Sequence, residues 1–303
     1  MISGGTLLFY LAILDVRRED NKNMENIERA VAQHYGVTDL LERIFKGLEA
    51  AGTDLDCLQP EDLAPVDEYH IGGRKATVHA IDKMSLSEDQ HVLDIGCGIG
   101  GTARYMAEKI GCKVTGIDLT SEYILIAKTL TDLTGLGSKV TYKVASALDM
   151  PFESKTFDAA ITIHVAMNIP ERATLYSEIA RVMKPGATLC IYDVMKKSDE
   201  SFSFPVPWAE SAVTSHLTTP EEMRALLDDA GFDVREVDDR TDFALNFFKQ
   251  SLAAAADGPP PLGIHLIIGS SAPEKLKNMQ SNIENGCISV VQMIADRCTN
   301  PPF

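Results

Sequence analysis

The sequence predicts an α/β fold in which helices cover both faces of a doubly wound, mostly parallel, seven-stranded sheet. Between residues 90 and 194, short apolar segments alternate with amphipathic ones, which is typical of strand–helix–strand units. A glycine-rich turn follows the first apolar segment, and a helix is expected to begin there. Two more strands are expected near the end of the chain, separated by roughly 50 residues that form an insertion.

The strands and helices follow from hydrophobic periodicity and from breaker residues. Strands are expected near residues 90–95, 113–118, 140–145, 158–163, 187–193, 232–237 and 287–296. Helices are expected near 24–36, 40–50, 74–84, 102–110, 121–135, 171–183 and 242–256. A further helix should begin at Thr219-Pro-Glu-Glu222, which has a capping threonine followed by proline. The acid-rich segment 53–68, with its two prolines, is expected to be a loop.

Composition and pattern divide the chain into five parts. Residues 1–23 are expected to be an extension or an overlong translation start, since Met24 is a plausible natural first residue. The other parts are a helical N-terminal cap (24–84), the α/β core (85–241), a helical insertion covering the active face (242–286), and the last strand with a tail (287–303).

Charge and composition limit the partners. A formal net charge of −16 opposes binding to nucleic acid and suits a neutral or cationic small molecule. The apolar run at 5–14 is far shorter than the ~20 residues of a membrane span, so no span is expected. Six cysteines without a C-x-x-C pair indicate reduced thiols of a cytoplasmic protein, with no disulfide frame and no metal site. The sequence is compatible with a monomer and with a homodimer.

The glycine turn at 96–101 predicts a nucleotide-binding corner. Glycine lets a ligand approach the backbone, and the start of the next helix presents free N–H groups. The spacing Gly96-x-Gly98-x-x-Gly101 also matches the dinucleotide fingerprint, so an NAD-binding oxidoreductase is an alternative. Asp94 lies just before the turn, and an anionic pyrophosphate gains no electrostatic attraction from its carboxylate. A ligand with ammonium and sulfonium charges, such as S-adenosylmethionine, is attracted to it.

Several polar residues should meet at one edge of the sheet, because the carboxyl ends of parallel strands lie together. Asp118 ends the second strand, and its distance in the sequence from the glycine turn is typical of an acid that binds ribose hydroxyls. NAD enzymes use an acid at the same place, so Asp118 does not distinguish the two ligands. The other residues at such ends are Asp94, Ser146, His164, Asn168 and Asp193. This convergence predicts the site.

Four motifs in order carry a family resemblance. They are Leu93–Gly101 (LDIGCGIGG), the strand ending at Asp118, the Met150–Asp158 region (MPF, then TFD) and Arg181–Gly186 (RVMKPG). With these motifs, residues 85–194 resemble class I S-adenosylmethionine-dependent methyltransferases. The resemblance implies a Rossmann-like methyltransferase fold, with S-adenosylmethionine as cofactor and S-adenosylhomocysteine as product.

The resemblance also implies roles for individual residues. Gly96, Gly98 and Gly100 should pack against the methionine and ribose part of the cofactor, with Asp94 near its amino group. Asp118 should hold the ribose hydroxyls. Leu119, Ala147 and Leu148 should border the adenine ring, and Ser146 stands where family members often have Asp. His164, directly after the fourth strand, should contact the cofactor near its sulfonium.

Outside the core, Tyr35, the Gly72-Gly73 pair and the late insertion resemble the small-molecule branch of the family. These three residues are expected to contact the cofactor. The branch includes sarcosine/dimethylglycine N-methyltransferases and C-methyltransferases of sterol, prenyl and quinone-like substrates. The expected acceptor is therefore an amine, with C- or O-methylation of an apolar metabolite (prenyl, sterol, quinone or polyketide type) as the alternative. A non-catalytic S-adenosylmethionine-binding module is the alternative of another class.

Methyl transfer needs alignment, exclusion of water, and a base only where the nucleophile arrives protonated. His164, His70 and Asn168 are the catalytic candidates, and Tyr69, Trp208 and His265 are expected in the substrate pocket. A pocket lined by Leu, Phe and Met from 200–270 would favour an apolar acceptor. Clustered Tyr, Trp and acidic residues would favour an amine.

Overall fold

The computed structural model describes residues 39–198, 202–254 and 258–299. Residues 1–23, the predicted helix at 24–36 and the candidate Tyr35 lie outside these described residues.

Seven strands form one sheet in the order β3-β2-β1-β4-β5-β7-β6. The strands are β1 (His91–Ile95), β2 (Lys113–Asp118), β3 (Val140–Val144), β4 (Phe157–Ile163), β5 (Met183–Lys196), β6 (Phe232–Asp239) and β7 (Ile288–Arg297). The five strands β1 to β5 pair in parallel, whereas β7 runs antiparallel to both of its neighbours. The predicted mostly parallel, seven-stranded α/β fold is confirmed.

Ten α-helices lie in the described part of the chain. They are α1 (Leu40–Ala50), α2 (Pro60–Asp67), α3 (Gly73–Met84), α4 (Gly101–Lys109), α5 (Ser121–Leu133), α6 (Arg172–Val182), α7 (Pro220–Asp229), α8 (Thr241–Ala254), α9 (His265–Ile268) and α10 (Ala272–Glu284). The predicted cap of α7 is present: Glu222 N–H donates to Thr219 Oγ1 at 3.2 Å, and Thr219 N–H donates to the Glu222 carboxylate at 2.8 Å.

Helix α2 corrects the prediction of a loop over residues 53–68. Pro60 occupies its first position, where the missing N–H costs nothing. The Asp62 carboxylate accepts a hydrogen bond from Gln59 N–H at 2.9 Å and so caps the helix. Proline and acidic residues are common in loops, but here they start a helix.

The sheet is buried on both faces, which fixes the carboxyl ends of its strands. Leu93 of β1 belongs to a core cluster with Leu175 and Ile179 of α6. Its neighbour Val92 faces the other layer, with Met106 of α4.

Two further clusters cover the carboxyl edge of the sheet. In one, α1 and α2 pack with α5 and with residues of the α9 region. In the other, Trp208 packs with Phe248 of α8, Met279 of α10 and the start of β7. Residues from both the N-terminal part and the late insertion therefore enclose the edge where the candidate residues lie. Among the described residues, no helix combines the length and apolar character needed to cross a bilayer.

Candidate functional site

A cavity of about 1710 Å³, counted out to its open mouth, lies at the carboxyl edge of the sheet. The glycine turn and the ends of β1, β2 and β4 form one side, and the cap and insertion form the other.

The three glycines of the turn differ in what they face. All three have positive φ (71° at Gly96, 53° at Gly98 and 88° at Gly100), which L side chains rarely adopt. A Cβ on Gly98 would meet nothing within 4 Å, so its backbone borders open space in the cavity. A Cβ on Gly96 would collide with Val165, and one on Gly100 with the Tyr142 hydroxyl. Gly100 does not line the cavity and serves the packing of the turn.

Two buried carboxyl groups stand beside the turn. Asp94 is 3% exposed, and its Oδ2 has no hydrogen-bond partner among the described residues. Burial, followed by the nearby Asp118, raises the pKa of Asp94 to about 7. An unpaired buried oxygen of this kind costs about 1–3 kcal/mol, so the site favours a ligand that brings a donor or a cation.

Asp118 is held by the backbone of the turn. Its carboxylate accepts hydrogen bonds from Gly98 N–H at 3.0 Å and from Thr120 N–H at 2.9 Å. Burial raises its pKa, and these hydrogen bonds lower it again in part.

The far end of this side matches the predicted adenine border. Leu119, Ser146, Ala147 and Leu148 all line the cavity. Ser146 Oγ accepts a hydrogen bond from Leu148 N–H at 3.0 Å and so shapes its own loop. The residues present fit S-adenosylmethionine: an unpaired carboxylate for its ammonium group, an acid for the ribose, and an apolar border for the adenine.

His164 lines the cavity but has no free nitrogen. It sits in the left-handed region (φ 53°) directly after β4. Its Nδ1–H donates to the Tyr192 carbonyl at 3.1 Å, and its Nε2 accepts from Ile71 N–H at 3.3 Å. Burial lowers its pKa to about 4. The ring therefore connects β4 and β5 to the turn before α3. The lone pair on Nε2 is occupied by the hydrogen bond from Ile71 N–H.

His70 lies next to His164, with the ring centroids 6.1 Å apart. Its Nε2 is 3.2 Å from the Gly73 carbonyl oxygen and 3.1 Å from Thr77 Oγ1. Glu68 Oε2 is 3.5 Å from the same nitrogen. Burial, and then His164, lower the pKa of His70 to about 3, so the ring is neutral at physiological pH.

A strap formed by residues 202–218 crosses the cavity and is held by candidate residues. Asn168 Nδ2 donates to the Trp208 carbonyl at 2.9 Å and to the Thr214 carbonyl at 3.1 Å. The Tyr69 hydroxyl donates to the Pro207 carbonyl at 3.0 Å. The rings of Tyr69 and Trp208 line the cavity, while the polar atoms of Asn168 and Tyr69 position the strap.

Three further candidates do not line the cavity. Gly72 faces the ring of Phe243, and Gly73 gives its carbonyl oxygen to His70. His265 begins the short helix α9, which turns Ile264 and Ile267 toward the cavity. Residues three positions apart share a helix face, and His265 lies off that face.

The strap and the insertion contribute an apolar part of the cavity wall. From residue 202 onward, the described residues that line the cavity are Pro207, Trp208, Phe247, Phe248, Ile264, Ile267, Leu276 and Met279. No acidic residue from this part of the described chain reaches the cavity. This composition matches the pattern that the sequence criteria associate with an apolar acceptor.

Sequence reasoning missed a charged network beneath this site. Arg104 of α4 is fully buried, and its Nη2 is 2.7 Å from Asp67 Oδ2 at the end of α2. Glu68 Oε2 accepts a hydrogen bond from the Thr77 hydroxyl at 2.6 Å, and Glu68 Oε1 lies 2.7 Å from Arg74 Nη1. The available signal was the pair of acids immediately before Tyr69-His70, in a segment read as a loop.

Comparison with known proteins identifies the family. A family model described as a methyltransferase domain matches residues 93–191. The O-methyltransferase resE of Aspergillus sclerotiorum is 30% identical over 189 residues, which cover 60% of this chain and 69% of that protein. This chain belongs to the S-adenosylmethionine-dependent methyltransferases. The NAD-binding and non-catalytic alternatives are therefore set aside.

Solved structures share the fold of this methyltransferase. Geranyl diphosphate C-methyltransferase from Streptomyces coelicolor A3(2), with S-adenosyl-L-homocysteine, superposes with a TM-score of 0.68 and 17% identity, covering 91% of this chain and 99% of that one. Phosphoethanolamine N-methyltransferase 2 of Haemonchus contortus, with S-adenosyl-L-methionine, gives 0.70 and 18%, covering 92% and 61%. At these identities the likeness concerns the fold alone.

Proposed function

We propose that this methyltransferase transfers a methyl group from S-adenosylmethionine to oxygen or carbon of an apolar small molecule. The observation that carries the proposal is the part of the cavity wall contributed by the strap and the insertion, whose described lining residues are aromatic and aliphatic (with Pro207) and include no acid. The names of similar proteins include O-, C- and N-methyltransferases, so they do not choose among these acceptors.

The donor side is expected to hold the cofactor through residues already in place. Asp94 would receive its ammonium group, Asp118 its ribose hydroxyls, and Gly98 allows its close approach. When bound, S-adenosylmethionine supplies an electrophilic methyl group on a sulfonium. The chain contributes alignment and a dry chamber, and well-oriented reactants can gain roughly 7–11 kcal/mol from positioning alone.

The apolar wall disfavours the amine predicted from the sequence. An ammonium group that contacts this wall loses its hydration, and the described strap and insertion residues that line the cavity include no carboxylate to replace it. Tyr69 and Trp208 do offer aromatic faces to a cation. Because the wall around them is otherwise aliphatic and uncharged, we favour a neutral acceptor.

The proposal is tested by a methyl-transfer screen that reads out S-adenosylhomocysteine. The panel contains apolar phenols, prenyl alcohols and quinols, with sarcosine and dimethylglycine as the amine arm. We expect turnover in the apolar arm and none with the two amines. Turnover of sarcosine or dimethylglycine, with the apolar arm unmodified, would contradict the proposal.

A substitution in the wall provides the structural control. Phe248→Ala should raise KM for the apolar acceptor several-fold and leave the Kd of S-adenosylmethionine unchanged, because Phe248 lines the cavity and belongs to the apolar cluster of Trp208 and Met279. Leu133→Ala, which removes an exposed apolar side chain at the end of α5, should change neither constant. A loss of cofactor affinity in the first variant would show that the two sides are not separate.

A further inference from the structure

We propose that His70 is the general base of this reaction, and that the acceptor therefore carries an acidic hydroxyl, a phenol or an enol, on its apolar skeleton. The inference rests on the proposed function and adds the reacting group. The geometry that carries it is the arrangement of Glu68, Thr77 and Gly73 around one nitrogen of the ring, which leaves the other nitrogen free.

The tautomer of His70 follows from its contacts. The Gly73 carbonyl oxygen, 3.2 Å from Nε2, can only accept, so Nε2 carries the proton. Nδ1 then holds the lone pair. It makes no hydrogen bond with any described residue, and it is not among the buried polar atoms closed off from solvent. Since His70 lines the cavity, this lone pair is open to an acceptor.

A carboxylate supports the ring from the opposite side. Glu68 Oε2 is 3.5 Å from His70 Nε2, and the Thr77 hydroxyl both donates to this oxygen at 2.6 Å and lies 3.1 Å from Nε2. Arg74 Nη1 holds the other oxygen, Oε1, at 2.7 Å. A base whose far nitrogen is oriented by a fixed acid is the arrangement that activates hydroxyl nucleophiles. Glu68, Thr77 and Arg74 are positioning residues, since they act through His70.

The other candidates lack a free basic atom on the acceptor side. Both nitrogens of His164 are bonded to backbone groups, and the Asn168 amide is not basic. Asp94 and Asp118 lie on the donor side. Of the two histidines that line the described cavity, His70 alone keeps an unpaired nitrogen.

The proposed step balances without a further reactant. The hydroxyl proton of the acceptor passes to Nδ1 of His70. Burial, followed by the nearby Asp67, raises the pKa of Glu68 to about 8, so from about pH 8 upward Glu68 is largely ionised and its carboxylate stabilises the imidazolium that forms. The acceptor oxygen then forms a bond to the methyl carbon while the bond between that carbon and sulfur breaks, and the electron pair stays on sulfur. His70 returns its proton to water once the methyl ether has left. An alkene acceptor has no such proton to lose before it attacks, whereas a neutral phenol or enol has one.

The test compares His70→Gln with His79→Gln. Glutamine retains an N–H near the position of Nε2 but has no basic nitrogen. His79 lies on the same helix α3, outside the cavity, where it faces Asp238. The probes are 4-tert-butylphenol, which is protonated at the assay pH of about 8, and 4-nitrophenol, which is largely ionised there. His70→Gln should lower kcat/KM for the first by about 10²–10⁴-fold and for the second far less. His79→Gln should match the unsubstituted enzyme with both probes.

The outcomes separate this inference from the proposed function. Equal losses with both phenols would mean that His70 only supports the structure, and would overturn its role as base. Turnover of prenyl alcohols with no phenol or enol methylated would overturn the hydroxyl assignment but leave the apolar acceptor standing. Independently of any acceptor, ¹⁵N NMR of the enzyme should show His70 protonated at Nε2 and bare at Nδ1. A ring protonated at Nδ1 and bare at Nε2 would contradict the inference.

Discussion

His70 and His164 show how surroundings give two identical side chains different capacities. Both residues are half-buried and border the same cavity, and both rings are neutral because desolvation lowers their pKa. His164 lies between two backbone groups, one donor and one acceptor, which use both of its nitrogens. His70 meets its partners through Nε2 alone. The difference lies in the partners, so residue type and position in the sequence could not separate the two.

Asp94 gives a prediction at the scale of one residue. Burial raises its pKa to about 7, so below that pH it increasingly holds a proton and cannot pair with an ammonium group. The affinity for S-adenosylmethionine should therefore rise as the pH increases from about 5.5 to about 7, by up to roughly tenfold per unit at the acid end. Calorimetry across this range measures it. Asp94→Asn should bind more weakly with a flat profile, and an equally steep profile in this variant would assign the titration to another group.

At the scale of elements, the strap over the cavity depends on helix α10. Asn282 of α10 is 1% exposed, and its amide accepts from Ser203 N–H at 2.8 Å and donates to the Ser203 carbonyl at 2.9 Å. Asn278, one turn earlier, donates to the Pro205 carbonyl at 2.9 Å. The insertion before the last strand thus fixes the segment that carries Trp208.

Removing this attachment should cost stability and acceptor binding together. Asn282→Ala loses two hydrogen bonds and is expected to lower the free energy of unfolding by about 1–3 kcal/mol, measured by urea denaturation. Acceptor KM should rise while the Kd of S-adenosylmethionine stays constant. Gln280→Ala is the matched control, since Gln280 only pairs with Glu284 on the exposed face of the same helix, and it should cost under about 0.5 kcal/mol. Similar losses in both variants would indicate a general effect on α10.

At the scale of the whole molecule, one buried ion pair joins the N-terminal part to the core. Arg104 and Asp67 both have fully buried side chains, with 2.7 Å between Nη2 and Oδ2. Asp67 also lies against Gly101, where α4 begins, and lines the cavity. The cap is therefore attached to the same helix whose N-terminus borders the donor side.

Breaking this pair should destabilise the enzyme strongly. Arg104→Met leaves the buried Asp67 carboxylate with only Arg74, whose Nη2 is 3.9 Å from Asp67 Oδ1, and the loss of the closer partner is expected to cost about 3–5 kcal/mol in urea unfolding. Arg104→Met with Asp67→Leu should recover a large part of that loss, because no charge is then left unpaired. A single substitution that costs under about 1 kcal/mol would show that water or another group takes over the partner role.

Local patterns predicted much of the fold and the donor side of the site. Each predicted strand is present within a few residues of its expected bounds, because apolar runs and glycine or proline breaks act over short stretches. Asp94, Gly98 and Asp118 were found because they stand at the ends of strands, where parallel topology collects them. Gly72, Gly73 and His265 were expected at the site but do not line the cavity, since neighbouring elements direct them elsewhere.

The sequence by itself determined the doubly wound sheet, the glycine turn and the methyl donor, all of which depend on residues close together in the chain. Only the tertiary structure decided the chemistry of the acceptor side. Its wall combines Tyr69, Trp208, Phe248 and Met279, which come from four separate segments and carry no joint signal in the sequence. The availability of His70 depends on Glu68 and Thr77 behind its ring, and the saturation of His164 on Ile71, which lies 93 positions away. Such contacts are set by packing and by the need to pair buried polar groups, and neither is written in local periodicity.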